Sequence, residues 1–139
     1  MRAADVIVKA LEAQKLTRLY CVPGESYLPL LDGLHDSKAL TTIVCRHESG
    51  AGFMAVAEAK LTARPACFMV SRGPGATNGS IALHVAGQDA VPVVMLVGQV
   101  SRDERGRGAF QEIDYGQFFG SIAKASPSGR SESQQWRSP

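Results

Sequence analysis

The sequence predicts an α/β protein built on a doubly wound, mostly parallel sheet with helices on both faces. Short, near-continuous apolar runs of strand length alternate with longer segments in which apolar residues recur at helical spacing. Strands that are apolar on both sides are typical of parallel sheets covered by two helical layers. The 139 residues, 45% of them hydrophobic and 20% charged, suffice for one domain that buries about two thirds of its unfolded surface.

The first part of the chain predicts helix, strand, helix and strand in turn. Apolar side chains follow helical spacing over 3–15, and a β-favouring run occupies 19–22. Ser26 is the predicted cap of a second helix that carries three leucines. A β-branched run at 41–45 predicts the second strand.

The same alternation continues in the second part of the chain. A helix rich in small residues is predicted from Glu48, followed by a buried strand at 66–71. The glycine-rich segment at 72–78 predicts a loop, the apolar segment at 80–86 a helix, and 91–97 a fourth strand.

Four polar or glycine-rich segments come directly after the predicted strands. Parallel sheets bind ligands at the carboxyl ends of their strands. Since these ends share one edge of the sheet, that edge is the candidate site. The segments are Pro23-Gly24, Arg46-His47-Glu48, Gly73-Pro74-Gly75 and Gly98-Gln99.

Charge and cysteine content exclude several classes of protein. The net charge is +2 and the basic residues are scattered, so we expect no nucleic-acid partner. The three cysteines form no CxxC pair, which argues against a metal site or a disulfide framework. Asp5, Lys9 and Glu12 interrupt the N-terminal segment, which therefore lacks the continuous apolar stretch of a signal peptide. No apolar run is long enough to span a membrane, so we expect a cytoplasmic protein that does not enter the membrane.

Taken alone, the two chemical motifs leave alternatives open. Glu48 would stand in the first turn of a helix, where the macrodipole favours a carboxylate without any function. The segment from Gly73 resembles a dinucleotide-binding loop, but Asn78 occupies the place of its third glycine. The strand that ends at Gly98-Gln99 also lacks the acidic residue that would bind a ribose, which argues against that interpretation. A turn that packs a helix on a strand remains an alternative.

Several motifs in a fixed order carry a more specific resemblance. VPGES around Gly24, RHESGAGFMAVAEAK from Arg46, GPGATN from Gly73 and DAVPVVMLVGQ from Asp89 together resemble the N-terminal pyrimidine-binding domain of thiamine diphosphate enzymes. AFQEID from Ala109 is similar to the acetolactate synthase branch. The resemblance predicts one such domain over 1–124 and does not extend into 125–139. That tail is rich in serine and has one large apolar residue, Trp136, so we expect it to be disordered. Our hypothesis is that it is the remnant of a truncated or frameshifted reading frame.

The resemblance implies a catalytic role for Glu48. The matching carboxylate in the family hydrogen-bonds N1′ of the aminopyrimidine ring and favours the imino tautomer, whose N4′ removes the proton from thiazolium C2. Partial desolvation would raise the pKa of such a carboxyl into a useful range. Glutamine could form the hydrogen bond but could not relay the proton.

Other residues take roles by the same resemblance. Cofactor contacts are implied for the two turns that line the pyrimidine pocket, and substrate contacts for the later loop. Ordinary turn chemistry and a solvated loop remain the respective alternatives. The cofactor set is Pro23, Gly24, Glu48, Pro74 and Asn78, and the substrate set is Phe110 and Gln111.

Some positions near these motifs have two interpretations. His47 is interpreted as a structural histidine rather than a second proton carrier. The small residues Ala51, Gly52 and Ala55 suit either the dimer interface of the family or a monomeric core. Arg72 departs from the small hydroxyl residue usual before GPG, and would either crowd the pocket or extend into water.

The resemblance also implies what this sequence lacks. Family members hold the diphosphate and Mg²⁺ on a second domain with a GDG motif, which does not occur here, and acetolactate synthases place FAD on a central domain. We therefore expect weak cofactor binding and little turnover without a homodimer partner or complementary domain, in a parent enzyme acting on a 2-oxo acid. The alternatives are a binding or regulatory module that lost the chemistry and an unrelated nucleotide-binding domain.

Overall fold

The computed structural model describes residues 1–125, so the predicted tail at 125–139 lies almost wholly outside the described residues. Five α-helices and four β-strands alternate along these residues, with one 3₁₀ turn at Glu25–Tyr27. The helices are α1 (Ala3–Ala13), α2 (Leu28–Asp36), α3 (Glu48–Thr62), α4 (Gly73–Gln88) and α5 (Tyr115–Phe119). The strands are β1 (Arg18–Cys21), β2 (Thr41–Val44), β3 (Ala66–Val70) and β4 (Val93–Val97).

The four strands form one sheet in the order β2-β1-β3-β4, and every neighbouring pair is parallel. Alternate side chains of β3 face opposite layers: Cys67 and Met69 pack against α1 and α2, whereas Phe68 and Val70 pack against α3 and α4. The sheet is therefore covered by helices on both faces. This confirms the predicted fold class.

The start of α4 differs from the prediction of a loop at 72–78. The helix begins at Gly73, with Pro74 in its first turn, where the missing N–H of proline costs no hydrogen bond. The glycines lie in the helix because they must pack closely. A Cβ atom on Gly79 would lie 2.8 Å from Met95 Cε, so local glycine content is overruled by contact with the sheet.

Ser26 does not cap the second helix as predicted. The residue lies inside the 3₁₀ turn, and α2 begins after Tyr27 without a side-chain cap. The Ser26 hydroxyl instead lies 3.0 Å from the hydroxyl of Ser71, which follows β3. A contact between distant segments thus replaces the expected local one.

The small residues of α3 belong to the core of this chain. Ala51 and Ala55 are fully buried, and a Cβ atom on Gly52 would lie 2.3 Å from Ala82 Cβ of α4. These positions allow α3 and α4 to cross closely on one face of the sheet. The monomeric-core interpretation therefore accounts for them.

Candidate functional site

The turns that follow β1, β3 and β4 meet at the carboxyl edge of the sheet. A Cβ atom on Gly24 would lie 2.8 Å from Ser71 Cβ, and one on Gly98 would lie 1.8 Å from Ser26 Oγ. Side chains at either glycine would push the turns apart. The chain therefore brings three strand ends into direct contact at the edge that the sequence predicts as the site.

Glu48 is the first residue of α3 and lies beside this cluster of turns. Its side chain is half-buried, and Oε2 accepts a hydrogen bond of 3.0 Å from Asn78 Nδ2 on α4. A Cβ atom on Gly75 would lie 3.4 Å from Oε1, so α4 presents a bare backbone to that oxygen. The two helix starts thus orient one carboxylate between them.

His47 performs the capping of α3, so Glu48 is not needed for it. The ring atom Nδ1 of His47 accepts a hydrogen bond of 3.2 Å from the backbone N–H of Ser49. The same atom lies 2.8 Å from Ser49 Oγ. Helix capping is a structural role for this histidine, as the sequence interpretation expected.

Tyr27 brings a buried hydroxyl to the neighbourhood of the carboxylate. The hydroxyl donates a hydrogen bond to the Val22 carbonyl. Burial raises the pKa of Tyr27 above its usual value, and the charges of Cys21 and Glu48 raise it further. The phenol therefore stays neutral, and its hydrogen bond fixes the turn after β1.

The structure brings some of the predicted cofactor residues together and leaves others at the rim. Asn78 contacts Glu48 directly, and Gly24 lies against Ser71. Pro23 and Pro74 are exposed on the surface. These two prolines therefore shape the turns from outside rather than touching the carboxylate.

The two predicted substrate residues lie in a loop that is attached to the start of α4. The Gln111 carbonyl accepts a hydrogen bond of 2.9 Å from the Gly73 N–H, and Gln111 has a positive φ of 62°. The side chain of Phe110 is 73% exposed. The backbone of this pair is held in place while the aromatic ring points away from the core.

Arg72 is the residue at this edge whose role the sequence left undecided. Its Nη1 donates a hydrogen bond of 3.1 Å to the Phe110 carbonyl, and its Nη2 pairs with the carboxylate of Glu25. The side chain is only 15% exposed. The side chain neither extends into water nor contacts Glu48. In the sequence, the only indication that this position is unusual was that arginine replaces the small hydroxyl residue typical of the family.

A cavity of about 280 Å³ lies on the face of the sheet that α1 and α2 cover, beside β4, and extends to Ser26 and Gly98 in the turns. It is lined mainly by apolar residues of α1, α2 and β4 and does not include Glu48. Within residues 1–125, no cluster of three histidine, cysteine or acidic side chains is arranged to hold a metal ion. In the same range, no helix has the length and apolarity needed to cross a membrane.

Comparison with known proteins decides the family. The sequence model described as "Thiamine pyrophosphate enzyme, N-terminal TPP binding domain" matches residues 1–118. The chain belongs to this thiamine pyrophosphate enzyme family. Thiamine pyrophosphate and thiamine diphosphate are two names for one cofactor, so the family resemblance in the sequence is confirmed.

Relatives of this thiamine pyrophosphate enzyme domain include several acetolactate synthases. The chain is 42% identical over 111 residues to "Acetolactate synthase isozyme 1 large subunit" of Escherichia coli, covering 80% of this chain and 20% of that protein. It is 38% identical over 125 residues to "Acetolactate synthase" of Bacillus subtilis, covering 90% and 22% respectively. It is 40% identical over 114 residues to "Acetolactate synthase" of Mycobacterium bovis, covering 82% of this chain and 18% of that protein. The chain thus spans about a fifth of the length of these relatives.

Proposed function

We propose that this chain supplies the aminopyrimidine half of a thiamine diphosphate site, in a 2-oxo acid decarboxylase or carboligase of the acetolactate synthase type. The observation that carries the proposal is the carboxylate of Glu48, which Asn78 holds at the strand edge where the glycine turns converge. The family match and the acetolactate synthase relatives support the choice of cofactor and reaction class. A cytoplasmic location is part of the proposal.

The residues present fit an aminopyrimidine ring. Oε2 of Glu48 is engaged by Asn78, whereas within residues 1–125 no donor occupies Oε1. Gly75 faces Oε1 without a side chain, so a flat heterocycle can approach that oxygen. Pro23 and Gly24 would line the ring on the side of the β1 turn, and Pro74 and Asn78 on the side of α4.

The proposed role of Glu48 is to hold and transfer a proton at the ring nitrogen N1′. Thiamine diphosphate, when bound, supplies a carbon nucleophile that adds to the carbonyl group of a 2-oxo acid. The amide of Asn78 fixes the carboxyl plane, and the half-buried position of Glu48 limits competition from water. Phe110 and Gln111 would contact the substrate from the loop attached to α4.

We propose that the diphosphate and its Mg²⁺ bind on a second domain that is not among residues 1–125. The sequence contains no GDG motif, and residues 1–125 hold no cluster of metal ligands for the Mg²⁺ that accompanies the diphosphate. Phe53 and Met54 on α3 and Ile81 on α4 keep 40%, 44% and 51% of their surface exposed. We propose that a second copy or a complementary domain covers these side chains. FAD would bind in the parent enzyme outside this region.

The experiment is a chimera in which residues 1–118 replace the matching segment of the Escherichia coli isozyme 1 large subunit. Two quantities are measured: acetolactate formation, and the rate at which the thiazolium C2 proton exchanges with D₂O. Glu48→Gln keeps the size and one hydrogen bond of the side chain but cannot transfer a proton. We expect C2 exchange and product formation to fall at least about a hundredfold, the usual scale of a lost general acid or base.

A second variant serves as the matched control. Glu58→Gln removes a carboxylate from the same helix, where it pairs with Arg18 away from the site. This variant should exchange the C2 proton as fast as the unmodified chimera. Full C2 exchange in Glu48→Gln would remove the assigned role, whatever the effect on stability.

A further inference from the structure

Three segments of the chain meet at the side chain of Arg72. One guanidinium nitrogen binds the Phe110 carbonyl at 3.1 Å, and another pairs with Glu25, the residue after Gly24. The partners are 38 and 47 positions away along the chain. A single side chain thus joins the turn after β1, the start of α4 and the loop that carries Phe110 and Gln111.

The backbone of Gly73, next to Arg72, also connects α4 to the loop that carries Gln111. The Gly73 N–H donates a hydrogen bond to the Gln111 carbonyl, and a Cβ atom on Gly73 would lie 2.7 Å from that oxygen. A side chain at Gly73 would therefore push the loop away from α4. Gln111 keeps its positive φ of 62° in this arrangement, a conformation that a non-glycine residue adopts only when its surroundings hold it.

Hydrogen bonds inside the loop do not explain where it lies. The carboxylate of Glu112 accepts from the N–H groups of Gly106 at 2.6 Å and Ala109 at 3.3 Å, and Ser101 binds Glu104 at 2.9 Å. These contacts fold residues 101–112 on themselves. Farther along, Gln99 Nε2 donates a hydrogen bond of 3.4 Å to the Ile113 carbonyl, whereas residues 110 and 111 themselves are tied to the sheet edge by Arg72 and Gly73.

We propose that Arg72 is a positioning residue that sets the location of Phe110 and Gln111 relative to the Gly24-Glu25 turn. Glu25 balances the charge of the guanidinium, and both terminal nitrogens are engaged. Arg72 therefore acts through the loop backbone and not as a cation that attracts the substrate. The predicted effect of Arg72 on substrate binding rests on the function proposed above. The predicted effect on the position of the loop does not depend on that function.

Hydrogen exchange of the full chain tests the loop without any cofactor. Arg72→Ser removes both contacts and should speed amide exchange in peptides covering 101–114 about tenfold, with β3 and α3 peptides unchanged. Arg72→Lys has one ammonium group for two partners and should give an intermediate rate. Arg18→Ser, which breaks another arginine ion pair, should leave the loop as protected as before.

Glu25→Gln keeps the test decisive if Arg72→Ser does not fold. Glu25 is 68% exposed, so its replacement disturbs little besides the pair with Arg72. Exchange in 101–114 should rise about threefold, with the loss of one exposed ion pair. Unchanged exchange of this loop in every folded variant at Arg72 and Glu25 would overturn the proposal.

The chimera separates this role from that of Glu48. Arg72→Ser should raise the KM for the 2-oxo acid about tenfold while the C2 proton exchanges within about twofold of the unmodified rate. Equal loss of C2 exchange and turnover would instead mean a general structural defect and would contradict the positioning role. Should Glu48→Gln prove harmless, the function fails while the loop measurement still stands.

Discussion

Glu48 and Asn78 form a pair in which one oxygen of the carboxylate is fixed and the other faces bare backbone. An amide donor suits the charged form of a carboxyl group and holds its plane without supplying a second titrating group. A Cβ atom on the neighbouring Gly75 would lie 3.4 Å from the remaining oxygen, Oε1. Substitution at Gly75 therefore tests access to the carboxylate separately from its chemistry.

Gly75→Ala should make the protein more stable and less active. The new methyl group would meet Glu48 Oε1 at 3.4 Å and Ser71 Cβ at 3.5 Å, both ordinary contact distances. Replacing a glycine in a helix by alanine stabilises it by about 0.5–1 kcal/mol. Calorimetry of the chain should show a higher melting temperature. In the chimera, C2 proton exchange should fall about tenfold or more; an unchanged exchange rate would show that the ring does not approach from this side.

At the scale of single residues, the sequence identified site residues that belong to recognisable motifs. Glu48 and Asn78 were both singled out, and the structure joins them. The contacts of Arg72 were beyond sequence reasoning because its partners lie in two distant turns. Side-chain pairing across loops depends on the packing of the whole edge, which no local pattern encodes.

The crossing of α3 and α4 is the element-level feature that places Glu48 and Asn78 side by side. Gly52 lies at the closest approach, where a Cβ atom would overlap Ala82 Cβ at 2.3 Å and press on the Phe68 ring at 3.2 Å. Ala82 and Phe68 are fully buried and cannot move aside cheaply. The geometry of the site therefore depends on the absence of side chains at this crossing.

Gly52→Ala should destabilise the chain by about 2 kcal/mol, because overpacking at a buried contact outweighs the helix propensity of alanine. The control is Gly50→Ala in the same helix, where a Cβ atom meets nothing within 4 Å. That substitution should stabilise by about 0.5–1 kcal/mol. Urea unfolding of both variants measures the difference, and equal stabilities would mean that the two helices separate freely.

Sequence patterns predicted the strands better than the helix starts. Apolar and β-branched runs placed β1 to β4 within two residues of their observed ends, since runs of this length between turn signals favour strands. The pattern around Gly73 was misleading because glycine signals a loop locally but serves close packing here. The prediction that Ser26 caps a helix was also wrong, because its hydroxyl pairs with the distant Ser71 at the sheet edge.

At the scale of the molecule, the proposed half-site predicts a low affinity for the cofactor, because residues 1–125 hold no cluster of metal ligands. Charge-assisted contacts and the metal ion normally supply much of the binding of a phosphorylated ligand. Calorimetric titration of the 139-residue chain with thiamine diphosphate and Mg²⁺ should therefore show a Kd weaker than about 1 mM. The unmodified chimera serves as the positive control. Micromolar affinity of the chain alone would contradict the proposal of a half-site.

The open side of β4 has a practical consequence for work with this protein. Within residues 1–125 no strand lies beyond β4, so its outer N–H and C=O groups have no strand partner there. The strand reads VVMLV, without a charge or a proline, and Val94 is 45% exposed. Such an edge is a template for intermolecular β-pairing. Purified samples should therefore be kept dilute, and Val94→Lys should oppose intermolecular pairing at this edge.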